Sequence, residues 1–183
     1  MQVISLYIAG KVDPNSSFGT SHWRDKVCEE LSRLSGITVT HLDPAKPAAG
    51  FEVDQNDPLL VVGRNAYMQK TADATLVYLS DDISVGGSQE MLIAKYLGKP
   101  LIGLAPRGGK FNKSERELFG KVWENYRDPY VALSCDRVAE TLEEVAHYLT
   151  ECATNGFPAP KDVSVFEEAL RYYEANFRSR DSF

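Results

Sequence analysis

Residues 74–105 read ATLVYLSDDISVGGSQEMLIAKYLGKPLIGLA, and this stretch decides the fold. Ala74 to Leu79 is a short apolar run rich in β-branched and aromatic residues, which predicts a buried strand. A polar turn with a glycine pair follows. Ser88 to Leu97 then carries Met91, Ile93, Ala94 and Leu97 as a helix, Gly98 ends it, and Leu101 to Ala105 begins another buried strand. Two apolar strands joined by a helix form a βαβ unit, and such a unit implies a parallel sheet.

The same alternation extends in both directions. Val3 to Ala9 predicts a first strand closed by Gly10. From His22 to Leu34 the residues Trp23, Val27, Leu31 and Leu34 fall at helical spacing, with Ser21 as a candidate N-cap. Ile37 to Leu42 alternates as a second strand, and Pro58 suits the first turn of a helix running over Leu59 to Lys70. Beyond Ala105 the reading is a loop, a helix from Glu115 to Tyr126, a short fifth strand at Tyr130 to Leu133, a helix from Val138 to Cys152 and a last helix from Val163 to Phe177. The expected architecture is α/β. It is a doubly wound, flavodoxin-like five-stranded parallel sheet with helices on both faces and an extra C-terminal helix. Residues 1–152 form the expected α/β domain. Residues 153–183 are expected to be a loop and helix packing on that domain or on a neighbouring subunit.

Composition bounds the function. With 183 residues, 43% hydrophobic and 25% charged, the chain is long enough for one domain with a real core. The net charge of −6 argues against sequence-blind binding to nucleic acid or to an anionic membrane. No run approaches the roughly 20 apolar residues of a membrane span. The N-terminus lacks the basic region of a signal peptide. Cys28, Cys135 and Cys152 show no CxxC spacing and read as reduced thiols of a cytoplasmic protein. His22, His41 and His147 are scattered, so no metal site is expected.

In an open parallel sheet, ligands bind beyond the carboxyl ends of the strands, where the strand order reverses. The most informative loop there is Ser84-Val85-Gly86-Gly87-Ser88-Gln89-Glu90. Glycines at a helix start let an anion approach the backbone N–H groups. Glu90 is expected in the first helical turn, where a carboxylate also complements the macrodipole by about 0.3–1 kcal/mol. No dinucleotide fingerprint follows strand 1, and Gly103 to Lys110 has Phe111 where a phosphate-binding loop needs Ser or Thr. No cofactor is expected.

Four blocks between residues 3 and 105 resemble the nucleoside 2-deoxyribosyltransferase superfamily, which includes nucleoside 5′-monophosphate N-glycoside hydrolases. They are Leu6-Tyr7-Ile8-Ala9-Gly10, Trp23-Arg24, Val62-Gly63-Arg64-Asn65 running to Ala72-Asp73, and the Ser84–Glu90 loop followed by Ala94 and Gly98-Lys99-Pro100. The resemblance implies that Glu90 attacks C1′ of a sugar and displaces its base, with Tyr7 orienting the carboxylate. Such a glycosyl-enzyme follows the logic of retaining glycosidases.

The resemblance also implies contacts to the sugar, base or phosphate from Gly10, Lys11, Arg24, Asp43, Asn65, Asp82, Ser84, Gly86, Gly87 and Ser88. Arg107 is a further candidate contact, and Arg24 has the alternative of capping the first helix. Transferases of the family usually carry Asp six residues before the nucleophile, and the nucleotide hydrolases carry Ser. Here it is Ser84, and a neutral hydroxyl accepts a phosphate dianion that a carboxylate would repel. Asp81 or Asp82 could still supply a carboxylate.

The family Asp that handles the base appears here as Asn65, which cannot transfer a proton. Either Asp43, Asp57 or Asp73 takes that role, or the base is one that leaves without such help. Hydrolysis of a nucleoside 5′-monophosphate is the first expectation. Base exchange between deoxynucleosides and a non-catalytic nucleotide-binding module remain as alternatives. The expected partners are a nucleotide or nucleoside and further copies of the chain, as a homodimer or larger, with no nucleic-acid polymer and no membrane.

Overall fold

A computed structural model describes residues 2–10, 23–44, 56–80 and 82–182. Five parallel strands form the central sheet: β1 (Val3–Ala9), β2 (Thr38–Leu42), β3 (Ala74–Tyr78), β4 (Leu101–Leu104) and β7 (Arg137–Ala139). Their spatial order is β2-β1-β3-β4-β7, so the chain reverses direction across the sheet between β1 and β3. This is the doubly wound five-stranded arrangement that the sequence predicts.

Alternation along β1 sorts its side chains between two cores. Ile4, Leu6 and Ile8 pack with Trp23, Val27 and Leu31 of α1 (Trp23–Ser35) and Val145 and Leu149 of α5 (Leu142–Asn155). Tyr7 and Ala9 point the other way, into a cluster with Val77, Met91, Ala94 and Val131. That second face belongs to α2 (Pro58–Thr71), α3 (Val85–Tyr96) and α4 (Pro129–Ser134). A strand's side-chain period of two therefore sends Tyr7 toward α3 while its neighbours Leu6 and Ile8 fill the opposite core.

Local signals account for the helix ends. Asp57 caps α2 by accepting from Leu60 N at 3.0 Å, and Pro58 takes the first position, where its missing N–H costs nothing. After α3, Gly98 adopts φ +61°, and Lys99 N returns to Ala94 O at 2.8 Å. Glycine suits this left-handed closing turn because a Cβ would be strained there.

The region after β4 departs from the sequence reading in three places. Glu115 to Tyr126 is not a helix. It forms an antiparallel hairpin of β5 (Asn112–Leu118) and β6 (Lys121–Arg127). Its two-residue turn, Phe119-Gly120, has φ of 52° and 71°, the positive pair a type I′ turn requires. Tyr130 to Leu133 is not a strand but lies in α4, capped by Asp128 with Pro129 at the helix start. The fifth strand is β7, and α5 begins at Leu142 behind its cap Thr141 rather than at Val138.

The C-terminal segment lies against the domain through specific contacts. Phe157 packs edge-on against Tyr148, and Val165 of α6 (Ser164–Asn176) is buried. Lys161 Nζ donates to the carbonyls of Ala132, Leu133 and Cys135 at the end of α4. Tyr172 and Phe177 of the same segment stay exposed. Among the described residues, no helix is long and apolar enough to cross a membrane.

Candidate active site

The β1/β3 switch point brings three side chains together. Tyr7, fully buried on β1, donates its hydroxyl proton to Glu90 Oε1 at 2.5 Å. That length suits an O–H donor on a charged oxygen. Asn65, on α2, donates from Nδ2 to the same oxygen at 3.2 Å. Two donors on Oε1 fix the carboxylate, and neither of them engages Oε2. Burial is the largest influence on Glu90 and pushes its carboxyl above the ordinary range. The Tyr7 bond, the Arg24 charge and the Asn65 bond act the opposite way. Burial, reinforced by the Glu90 charge, also pushes the Tyr7 phenol well above its usual value, so it stays a donor.

The helix start differs from expectation in one useful respect. α3 begins at Val85, with Ser84 as N-cap accepting from Gly87 N at 3.0 Å. Glu90 is therefore in the second turn and not the first. The glycines are helical residues, not a loop ahead of the helix. A macrodipole explanation of Glu90 weakens accordingly, because that effect fades beyond the first turn. The N–H groups of Val85 and Gly86 have no carbonyl within the helix to bond, as at any helix start. Gly86 is exposed, and a Cβ there would meet only Ser84 Oγ, at 3.8 Å. Ser88 Oγ is turned back to Val85 O at 2.8 Å.

The remaining candidates divide by location. Arg24 neither caps α1 nor sits at its surface. It is buried, donates to Ile8 O at 2.8 Å and Gly10 O at 3.1 Å, and lies 3.9 Å from Asp43. It closes the carboxyl end of β1 and acts on Glu90 through its charge. Gly10 is held there, with the Trp23 ring 3.1 Å from where a Cβ would stand. Asp73 is at the wrong end of the sheet. It precedes β3 and binds Ser5 N at 2.7 Å and Ser5 Oγ at 2.8 Å. Asp57 is occupied as the α2 cap, and Arg107 reaches Asn125 of the hairpin at 3.3 Å. Asp82 lies exposed in the loop between β3 and α3. Lys11, Asp81 and the proposed cap Ser21 fall outside the described residues. Among the described residues, no cluster of three His, Cys, Asp or Glu side chains could hold a metal.

Two features were not visible in the sequence. Asn65 reads there as a substitution at a base-handling position, and nothing in its spacing shows that it would bond Glu90. The other is Asp136, a single loop aspartate that gathers Lys95, Leu101 N and Lys161 N.

No family model matches the sequence, and no curated protein matches it. Solved structures do match in shape. A conserved protein from Enterococcus faecalis V583 superposes with a TM-score of 0.55 at 16% identity, covering 81% of this chain and 98% of that one. A 2-deoxyribosyltransferase from Bacillus psychrosaccharolyticus gives 0.51 at 17% identity, over 86% of this chain and 97% of that one. A 2-desoxiribosyltransferase from Leishmania mexicana gives 0.51 at 20% identity, over 81% and 97%. At such identities the likeness is one of fold.

Proposed function

We propose that this chain is an N-glycosidase of the nucleoside 2-deoxyribosyltransferase superfamily. It would cleave a nucleoside 5′-monophosphate into free base and sugar phosphate. The observation that carries this reading is the Glu90 carboxylate, held on one oxygen by Tyr7 and Asn65 at the switch point of the sheet. A carboxylate pinned on one oxygen and bare on the other is pre-oriented to attack a carbon. Glu90 Oε2 bonds to C1′ as the C1′–N bond breaks. The C1′–N electron pair leaves with the base; water then adds to C1′ as the C1′–Oε2 bond breaks and its pair returns to the carboxylate, and the proton that water loses passes through solvent to the released base. Partial desolvation makes the carboxylate more basic than an exposed one, and the Tyr7 bond acts against that rise.

The phosphate is assigned to the start of α3. Ser84 and the exposed Gly86 offer a hydroxyl and backbone N–H groups on the positive end of a helix. Base exchange between deoxynucleosides is the second reading, favoured by the fold shared with two deoxyribosyltransferases. Self-association of the chain is supported by α2, whose Leu59, Val62 and Tyr67 are exposed. Incubation with a panel of ribo- and deoxyribonucleotides, with chromatography of the released bases, separates the readings. Net release requiring the 5′-phosphate supports hydrolysis. Release only when a second base is supplied supports exchange. No release from any substrate removes both.

Tyr7→Phe tests the orienting bond. Without it one influence lowering the Glu90 pKa is gone, so the acid limb of kcat/KM moves to higher pH. The rate on the plateau should fall about 10- to 150-fold, the scale of a charge-assisted hydrogen bond of about 1.5–3 kcal/mol. A pH–rate profile whose acid limb stays in place would show that the ionising group is not Glu90.

A further inference from the structure

A buried ion pair at the carboxyl end of β1 has no part in the reaction as described. Arg24, the second residue of α1, is 2% exposed, and Asp43, just beyond the end of β2, is 7% exposed. The guanidinium is held from three sides. Its Nε donates to Ile8 O at 2.8 Å and its Nη2 to Gly10 O at 3.1 Å. Its central carbon lies 4.5 Å from the centre of the Trp23 ring. Asp43 Oδ1 is 3.9 Å from Nη1, beyond hydrogen-bond length, so that contact is electrostatic. Main-chain carbonyls orient a cation without cancelling it, and a charge out of water acts on its neighbours more strongly than one at the surface. A guanidinium so buried and so engaged belongs to the frame of the site and is not a contact for a phosphate.

We infer that Arg24 and Asp43 are positioning residues that act on Glu90 as one unit, Arg24 through its charge and Asp43 by offsetting part of that charge. For its effect on catalysis this rests on the N-glycosidase reading. Among the described residues, the groups that act on the Glu90 carboxyl are Tyr7 from β1, Arg24 from α1 and Asn65 from α2. Asp43, at the end of β2, acts on Arg24 and on Tyr7. Arg24 favours the ionised nucleophile, and an anion beside Arg24 works the other way. The balance matters for attack on C1′. With too little positive charge nearby, a desolvated carboxyl keeps its proton and cannot attack. With too much, it is ionised but less basic and so the weaker nucleophile.

The test reads the sign of a shift. Glu90 is titrated by carbon-13 NMR of carboxyl-labelled protein, with Glu90→Gln assigning its signal. The acid limb of kcat/KM is recorded on a nucleotide that the protein cleaves. Arg24→Met should raise the Glu90 midpoint by about one pH unit, the low end for losing a nearby opposite charge, and carry the acid limb with it. Asp43→Asn should lower both, because Arg24 then acts unopposed. The two substitutions in one chain should bring the midpoint back toward wild type. A purely structural pair would lower the melting temperature of each single variant and leave the midpoint in place. Unmoved midpoints, or single variants that move it in the same direction, overturn the inference. Breaking a buried pair is costly to the fold, so each variant is measured below its melt. If Arg24→Met does not fold, Arg24→Gln, which keeps a donor for the β1 carbonyls, replaces it. Either single variant decides alone, since the sign expected of each is fixed. If no base is released from any nucleotide, the N-glycosidase reading fails, and the NMR titration still decides whether the pair sets the charge state of Glu90.

Discussion

Glu90→Gln should abolish base release while making the protein more stable at neutral pH. The loss of activity should be on the order of 10³-fold or more, the scale on which removing a nucleophile disables covalent catalysis. An amide retains the shape of the carboxylate, and its Oε1 can still accept from Tyr7 and Asn65, so the fold has no reason to change. The stability effect follows from the sign of the pKa shift. Burial raises the Glu90 carboxyl above its unfolded value, so the folded state binds a proton more readily than the unfolded chain. Glu90 then favours the folded state fully only below its unfolded pKa. That contribution is lost as pH rises through the folded pKa. At neutral pH the wild type carries a partly desolvated charge that glutamine removes. Thermal melts of wild type and Glu90→Gln should therefore separate at pH 7, with the variant higher, and converge as the pH drops below the ordinary glutamate range of about 4.3. A variant that melts lower than wild type at pH 7 would show that the Glu90 charge is compensated within the fold. Lost activity together with gained stability is the pattern expected of a residue retained for chemistry.

How far the sequence carried the fold depends on what kind of force holds each part. Residues 74–105 were legible because buried parallel strands must be apolar throughout and the helix between them must present small apolar residues to the sheet. The β5–β6 hairpin was not, because Glu115, Arg116, Glu117 and Leu118 are all good helix formers. What overrides them is pairing with Val122, Trp123 and Tyr126 across a Phe-Gly turn that lacks the usual Asn or Asp. Arg116 also lies 4.4 Å over the Tyr126 ring, a contact that exists only in the hairpin. Around Tyr130 the apolar run suggested a strand, but Asp128-Pro129 is a helix start, and a local cap outweighs four residues of β propensity. For the candidate site, Tyr7 and Glu90 could be named from strand position and loop pattern. The Asn65 bond could not, because it depends on how α2 lies against α3, which no local spacing records. Arg24 read as a sugar-phosphate contact or a cap on the first helix, and its burial beneath Gly10 is likewise a tertiary fact.

Asp136→Ala should be the most destabilising single substitution outside the apolar core, at about 3–5 kcal/mol, measured as a shift in the urea midpoint. Asp136 Oδ2 accepts from Lys95 Nζ at 2.5 Å and from Leu101 N, the first residue of β4, at 2.7 Å. Oδ1 accepts from Lys161 N at 2.6 Å. One side chain thus ties α3, the sheet and the C-terminal segment together. Lys95 is completely buried, and burial pulls its pKa below the ordinary value even with Asp136 in place. Without the carboxylate an ammonium is stranded in the core and two backbone N–H groups lose their acceptor. Removing the other partner should cost much less. Lys95→Met replaces the cation with an apolar chain of similar length, and Asp136 keeps both backbone donors and a solvent-facing edge. The two variants also differ in pH dependence. In Asp136→Ala the lone Lys95 binds its proton less readily when folded than when unfolded, so stability rises with pH until the unfolded lysine, near 10.4, has also titrated. Lys95→Met has no such slope. Equal urea midpoints for the two variants would mean that the buried pair contributes as a unit and that Asp136 holds neither the β4 edge nor the C-terminal segment on its own. Because α3 carries Glu90 near its middle and Lys95 in its last turn, loosening this clamp should also lower the rate of base release at temperatures where the protein is still folded.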